Sequence, residues 1–474
     1  MTGLKKILLA LPMVLASLGV FSQHQELGEQ PGIWKEKERQ EVDSNSLLFA
    51  FRQGTMNGHL RYFFMSTDNA EGLSDYHAHA AGGGIKFQTA RFKGFQLGIS
   101  GFFTYNIGSS DLSLPDPKTG QFNRYEIGLF DIEDPNNKAD IDRLEELFLK
   151  YNFGKSHVVL GKQLINTPFI NLQDGRMRPT EVSGLWTEIN SGNTKVEGGL
   201  LNKISPRGTV KWYSVEESIG VYSQGLNTDG SRSDYAGNTS TKGVAMLGIT
   251  HQASKSLSLK FWNIYTENIF NATLLQADIK QPLSAGGHAV AGLQFITQHR
   301  IGNGGNDDPS KRYMQQASSM TFGGMVGWEN KQWRTSFNYN RITAKGRYTM
   351  PREWGRDPFY TFISRERNEG YGDVNAYVIR LGYSFPGTTL KLNTAFGYVD
   401  LPDVTNYSMN KMGMPSYTQT ALDLRYDFKG ILNGLGLQVL YIYKANAGNK
   451  VLNDRFIINK VNMGLWNMVL NYNF

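Results

Sequence analysis

Residues 464–474 read GLWNMVLNYNF, and this short stretch decides the fold. Side chains of an extended chain point alternately to opposite faces. One face here is apolar and is aromatic at both ends, while three of the five residues on the other face are asparagine. The apolar face consists of Trp466, Met468, Leu470, Tyr472 and Phe474. The stretch therefore predicts a β-strand with one apolar and one mostly polar face.

The same pattern recurs along most of the chain. It predicts 18 segments, each of about the ten residues that a tilted strand needs to cross a bilayer. Their bounds are 58–66, 80–90, 94–105, 143–153, 156–163, 180–190, 194–203, 243–252, 256–266, 269–280, 288–299, 317–329, 332–344, 373–385, 389–400, 416–428, 434–444 and 455–474.

The connections between these segments alternate between short and long. Turns as short as Gly154-Lys155 and Asn330-Lys331 are followed by loops such as 106–142, 204–242 and 345–372. An up-and-down barrel in an outer membrane has short turns on one rim and long loops on the other. We therefore predict an all-β, transmembrane up-and-down barrel of about 18 antiparallel strands over residues 54–474. The polar loops 204–242 and 300–316 are predicted to be mobile surface.

The polar faces of the predicted strands carry charge. A charge that faces lipid at mid-depth costs roughly 2–4 kcal/mol, so these side chains are expected to point into a water-filled lumen. The inward basic residues are Arg61, Lys86, Lys150, Lys260, Arg334, Arg380, Lys391 and Arg425. Two hypotheses stay open. These residues form a basic track for anionic or zwitterionic solutes, or they pair with inward acids and only keep the lumen polar.

Bulk composition limits the alternatives. The chain has 474 residues, no cysteine and a formal net charge of +7, with a mean hydropathy of −0.39. No apolar run beyond the N-terminus is long enough for a membrane helix. Residues 1–22 have the charged and apolar regions of a signal peptide, and residues 23–53 are predicted to be a periplasmic lead-in. Without cysteine, disulfides and thiol chemistry are excluded.

One region resembles a known family. The motifs are Gly161-Lys162, Asn166-Thr167-Pro168, the run from Asp174 to Pro179, and Gly184, and residues 58–62 are similar to that family's first strand. The family is the OprD-like family of substrate-specific porins. The resemblance implies that loop 164–179 folds inward as the pore constriction, with Asp174, Arg176 and Arg178 at its narrowest point. It also implies small solutes such as amino acids, short peptides and organic acids.

The C-terminal strand has a second resemblance. An aromatic terminal strand is similar to the closing strand of bacterial outer-membrane barrels, which the barrel-assembly machinery recognises. The resemblance implies that Tyr472 and Phe474 form an assembly signal. The predicted location is the bacterial outer membrane, in contact with its lipid, and the predicted state is a monomer or a loose trimer.

The function predicted from the sequence is a passive porin for small hydrophilic solutes, with a preference for carboxylates. A sugar or chitooligosaccharide porin stays an alternative, with inward aromatics at Phe63, Phe102, Phe148 and Trp262. A third alternative is an outer-membrane enzyme on a barrel scaffold, and a fourth is a secreted all-β binding protein. No catalytic pair, cofactor motif, metal cluster or nucleic-acid patch is found in the sequence, so we predict no enzyme, cofactor, metal or nucleic acid.

Overall fold

The computed structural model describes residues 43–173, 175–448 and 452–474. The predicted signal peptide, most of the predicted lead-in and Asp174 lie outside the described residues, so the predicted domain bounds stay predictions. Among the described residues are eighteen strands of eight or more residues. They are β1 Thr55–Asp68, β2 Tyr76–Gln88, β3 Phe95–Ser109, β4 Ile141–Phe153, β5 Ser156–Gln163, β6 Glu181–Ser191, β7 Thr194–Ser205, β8 Val244–Gln252, β9 Leu257–Thr266, β10 Phe270–Pro282, β11 His288–Arg300, β12 Ser318–Glu329, β13 Trp333–Ile342, β14 Val374–Ser384, β15 Lys391–Asp400, β16 Tyr417–Asp427, β17 Leu435–Asn446 and β18 Met463–Asn473.

The short elements lie between these strands or before them. Helix α1 spans Leu47–Arg52, and no helix in the described part of the chain is long and apolar enough to cross a membrane. Single 3-10 turns and two-residue strands complete the described elements. They are the turns Glu126–Leu129, Pro309–Lys311, Gly430–Leu432 and Asp454–Phe456, and the strands Asp43–Ser44, Arg91–Phe92 and Tyr213–Ser214.

The eighteen strands form one closed barrel. Each pairs in an antiparallel manner with the next along the chain, and β1 pairs with β18 in a register that runs from His59 opposite Asn473 to Asp68 opposite Gly464. Closure leaves no strand edge unpaired, as the hydrocarbon of a bilayer requires. The predicted fold class and strand number are confirmed.

The two rims differ as the sequence predicts. Turns of a few residues join the strands at the rim that carries both ends of the barrel, and most connections at the opposite rim are long loops. The largest disagreement in strand bounds is at the end of the chain. β18 begins at Met463 rather than at residue 455, because 454–456 form a 3-10 turn and Ile458 and Val461 are buried.

The outer surface is apolar. Alternate residues of the strands expose large apolar side chains, for example Ile379 at 55 %, Phe396 at 51 % and Leu422 at 43 %. The residues between them point inward, so the two-residue period separates a lipid-facing band from a polar interior.

Long loops fold into the barrel and fill much of it. Loop 164–180 contributes Phe169 and loop 343–373 contributes Trp354 and Phe359, and each of these side chains is at most 1 % exposed. The two loops are joined directly, because the backbone N–H of Asn171 donates to the carbonyl of Trp354 at 3.0 Å. Loop 206–243 packs on the same core through Trp354, whose Nε1–H donates to Ser218 Oγ at 2.9 Å.

Candidate functional site

The inward loops line a cavity in the lumen. Its volume is about 210 Å³, and its walls come from loops 110–140, 164–180, 206–243 and 343–373, with Met412 and the β17 residues Gln438 and Leu440. For scale, a cavity of roughly 150 Å³ in another protein holds benzene. The space therefore suits a small organic solute.

Arginine dominates the cavity wall. Seven arginines line it, together with a single described carboxylate, that of Glu366. The arginines are Arg124, Arg176, Arg207, Arg352, Arg356, Arg365 and Arg367. Guanidinium groups bind carboxylates and phosphates through paired hydrogen bonds, so the wall has the chemistry of an anion receptor.

Carbonyl groups of loop 164–180 hold two of these arginines and also Arg61 of β1. Arg61 of β1 donates from Nη1 to the carbonyl of Arg176 at 2.7 Å. Arg207 donates to the carbonyl of Gln173 at 3.3 Å, and Arg365 donates to the carbonyl of Gly175 at 2.9 Å. Each of these contacts uses a guanidinium N–H donor and fixes the side chain in position.

A glycine allows two of the guanidinium groups to approach each other. A Cβ atom at Gly175 would lie 2.8 Å from Nη1 of Arg365 and 3.2 Å from Nη1 of Arg207. The two Nη1 atoms are therefore at most about 6 Å apart, the sum of those distances. The backbone is strained nearby, with φ of +43° at Gln173 and +74° at Arg365. Such left-handed conformations in residues other than glycine often mark functional sites.

Glu366 joins three parts of the site. Its Oε1 lies 2.9 Å from Nη2 of Arg124, and its Oε2 lies 3.1 Å from Nζ of Lys444 on β17. Lys444 is fully buried and also donates to the hydroxyl of Tyr125 at 2.8 Å. Burial opposes ionisation of Glu366, but the charges of Arg124 and Lys444 prevail and lower its pKa to about 2. The carboxylate is therefore ionised and already compensated.

Three loop arginines lack such compensation. Arg176, Arg207 and Arg367 form no ion pair with a carboxylate among the residues that the structure describes. Burial, followed by the positive charge of Arg365, lowers the pKa of Arg176 to about 9. Burial and a neighbouring arginine also lower the pKa of Arg207 and of Arg367. Buried like charges therefore repel one another in this part of the site.

The structure separates the residues predicted to form the constriction. Asp174 lies outside the described residues. Arg176 lines the cavity, whereas Arg178 does not and instead donates from Nη2 to the carbonyl of Thr209 at 2.9 Å. The constriction formed by loop 164–179 and the roles of these residues in solute selection stay predictions.

Half of the predicted basic track is paired with acids. Four of the eight side chains lie within ion-pair distance of an inward carboxylate. This is the arrangement expected from the alternative hypothesis, in which the basic residues pair with acids and only keep the lumen polar. The pairs are Lys86–Glu146 at 3.2 Å, Lys260–Asp278 at 3.0 Å, Arg334–Glu329 at 3.0 Å and Arg425–Asp423 at 2.8 Å.

The other four residues of the predicted track have different surroundings. Arg61 donates from Nε to Asn471 Oδ1 at 2.7 Å, and Arg380 donates to the carbonyl of Phe362 in loop 343–373. Lys150 and Lys391 lie near the short-turn rim, on β4 and β15. Two of the eight thus hold inward loops, and the track as a path for solutes stays a prediction.

Sequence reasoning missed most of the cavity. Four of its seven arginines come from loop 343–373, which was assigned no role, and Arg207 and Tyr222 come from a loop predicted to be mobile surface. The structure instead buries Val215, Ile219 and Tyr235 of that loop. Loop 343–373 did carry a signal, because it contains six aromatic residues, which an exposed loop does not need.

Two further sets of predicted residues can be placed. Phe63, Phe102, Phe148 and Trp262 point inward as expected but are at most 7 % exposed, so they offer no open surface on which a sugar could stack. Tyr472 and Phe474 lie on the lipid-facing side with ring centres 5.5 Å apart. Their role as an assembly signal stays a prediction. Among the described residues, no group of three or more His, Asp or Glu side chains is placed to hold a metal.

A closed eighteen-strand barrel with an apolar outer band and a charged cavity in its lumen defines a channel of the outer-membrane type. Residues 51–369 match the family described as outer membrane porin, OprD family. The chain belongs to this OprD family. It is accordingly an outer-membrane channel for small solutes and not an enzyme, as predicted.

Solved structures share the fold at low sequence identity. Acinetobacter baumannii OccAB3 is 16 % identical with a TM-score of 0.68, over 89 % of this chain and 99 % of that one. Pseudomonas aeruginosa OccK9 (OpdG) is 15 % identical with a TM-score of 0.70, over 90 % and 99 %. Pseudomonas aeruginosa OpdK, solved with vanillate, is 14 % identical with a TM-score of 0.67, over 89 % and 99 %. No curated protein sequence matches this chain.

Proposed function

We propose that this porin preferentially passes small solutes that bear a carboxylate. The observation that carries the proposal is the cavity wall, where seven arginines face a single described carboxylate. A lumen with one dominant sign of charge and low-dielectric walls raises the local concentration of the opposite charge. A passing carboxylate would exchange its hydration for guanidinium N–H donors that are already held in place.

The volume of the cavity and the likeness to OpdK add support. About 210 Å³ accommodates one small organic acid but not a large oligosaccharide. OpdK, whose structure was solved with vanillate, shares this fold. Vanillate is an aromatic carboxylate, so a channel of the same architecture takes part in a complex with this chemical class.

Liposome swelling and bilayer recording test the proposal together. Swelling should be faster with alanine or benzoate than with a neutral sugar of similar size, and the reversal potential in a salt gradient should show anion preference. The double variant Arg207→Gln/Arg367→Gln should lower that preference. The matched control is Arg232→Gln, which removes an exposed arginine from the same loop as Arg207. Equal rates for acids and sugars, with no anion preference, would contradict the proposal.

A further inference from the structure

We infer that the cavity selects solutes with two negative charges, such as a short dicarboxylate or a small organic phosphate, over monocarboxylates. The inference rests on the proposed function and narrows its substrate class. It concerns the three arginines Arg176, Arg207 and Arg367, which come from three different loops and line the same space.

The first argument is the balance of charge in the cavity. Arg124 is paired with Glu366 at 2.9 Å, and Arg352 is paired with Glu369 at 2.6 Å. Arg176, Arg207 and Arg367 have no carboxylate within ion-pair distance in the described ranges, and all three contact backbone carbonyls instead. A carbonyl carries only a partial charge, and the nearest carboxylates, such as Asp357 for Arg367 and Glu126 for Arg176, act from beyond ion-pair distance, so the positive charge of these groups is offset only in part. A single carboxylate brings one negative charge to three such groups, whereas a dianion brings two.

The second argument is geometric. The Nη1 atoms of Arg207 and Arg365 converge on the space beside Gly175, at most about 6 Å apart. Arg176 lies on the same loop segment and reaches towards Gly128, where a Cβ atom would lie 2.6 Å from its Nε. Nη1 of Arg176 also donates to the carbonyl of Gly175 at 2.6 Å, and the same oxygen accepts from Arg365 at 2.9 Å, so three guanidinium groups converge beside Gly175. Two anionic groups separated by a few carbon atoms could each contact a different arginine.

The third argument is burial. Arg176 is 6 % exposed, Arg207 and Arg367 are partly exposed, and four loops contribute to the cavity wall. Water therefore screens the charges poorly, and each additional charge on a solute counts for more than it does at an open surface. The same enclosure disfavours the sparsely charged monocarboxylate, because the remaining arginines lose hydration without gaining an anion.

Single-channel recording with matched solutes tests the inference. Succinate and butyrate both have four carbons and differ by one carboxylate. Glycerol phosphate provides a phosphate on a three-carbon chain. At pH 7 we expect succinate to interrupt the current at a concentration at least tenfold below that for butyrate, which corresponds to about 1.4 kcal/mol. Comparison of succinate with glycerol phosphate shows which of the two dianions the cavity favours.

Variants link the preference to the arginines. Arg207→Gln and Arg367→Gln should each reduce the ratio of succinate to butyrate affinity severalfold, whereas Arg207→Lys should retain more of it because the charge remains. The control Arg232→Gln should leave the ratio unchanged. Anion preference with equal affinity for succinate and butyrate would overturn this inference but leave the proposed function intact. Loss of all carboxylate interaction would overturn both.

Discussion

Replacing Glu366 by glutamine should destabilise the folded channel at neutral pH and have much less effect in acid. Glu366 is the carboxylate that holds Arg124 of loop 110–140 and the fully buried Lys444 of β17 at once. Glutamine has nearly the same shape and can still accept a hydrogen bond, but it cannot neutralise either cation. The variant therefore isolates the charge of Glu366 from its packing.

The expected magnitude follows from the pKa of Glu366. Arg124 and Lys444 outweigh the opposing effect of burial and lower this pKa from its ordinary value of 4.5 to about 2. Since each pKa unit corresponds to about 1.36 kcal/mol, the ionised carboxylate stabilises the fold by roughly 3.4 kcal/mol at pH 7. Loss of one partner of a buried ion pair costs about 3–5 kcal/mol in other proteins, which agrees.

The sign of the pH dependence is fixed by the lowered pKa. A carboxyl group whose pKa is lower in the folded state stabilises that state above the unfolded pKa, and the contribution is lost as the pH falls through the folded pKa. The stabilisation should therefore be complete at pH 7, fall to about 1.4 kcal/mol at pH 3 and nearly vanish at pH 2. The difference between wild type and Glu366→Gln should follow the same course.

The difference in unfolding free energy between wild type and variant can be measured by urea unfolding in phospholipid vesicles. Tryptophan fluorescence follows the unfolding at pH 7 and at pH 3. The control is Glu133→Gln, which breaks an exposed ion pair with Lys211 and should cost at most about 1 kcal/mol at either pH. A cost below about 1 kcal/mol for Glu366→Gln at pH 7, or the same cost at both pH values, would refute the reasoning.

Three other substitutions test the barrel wall. Lys260→Met should destabilise the protein by roughly 3–5 kcal/mol in urea, because it leaves Asp278, 1 % exposed, without its cation, and the added change Asp278→Leu should restore part of the loss. Gly161→Ala should cost at least about 1–2 kcal/mol by the same measurement, because φ there is +120° and a Cβ atom would lie 2.3 Å from a carbonyl oxygen. Phe474→Ala should slow assembly, seen as less heat-modifiable protein in the outer membrane, because it removes both the terminal aromatic and the ring that covers Gly58.

Each of these predictions has an outcome that would contradict it. Equal stability of Lys260→Met and wild type would show that Asp278 is satisfied by its bonds to Gln276 and Tyr360 alone. Unchanged stability of Gly161→Ala would mean that the strand can relax at this position. Normal amounts of folded Phe474→Ala would exclude the terminal ring as an assembly signal.

The barrel could be predicted because its determinants are local. A strand such as β16 shows its membrane face in every second residue, with Leu422 and Leu424 facing lipid. The bilayer imposes that period on every strand, and closure follows from the absence of free edges. Eighteen segments could therefore be placed without knowledge of any contact between them.

The cavity could not be predicted in the same way because long loops build it. No period links Arg207 to Arg365, which are far apart in sequence and meet only beside Gly175. Loop 343–373 carries buried Tyr348 and Trp354, and these aromatics mark it as packed, but they do not show which arginine it places in the lumen. Alternation likewise shows that Lys260 points inward but not that Asp278 neutralises it.

The bonds from arginine to the carbonyls of Gln173, Gly175 and Arg176 have a consequence for how such channels evolve new preferences. Arg207 and Arg365 both hold loop 164–180 in position and line the cavity, so a substitution that alters solute preference there also loosens this loop. A substitution of either arginine that changes specificity should therefore be accompanied by a second substitution. The second one would supply a hydrogen-bond donor to the carbonyl that the arginine no longer contacts.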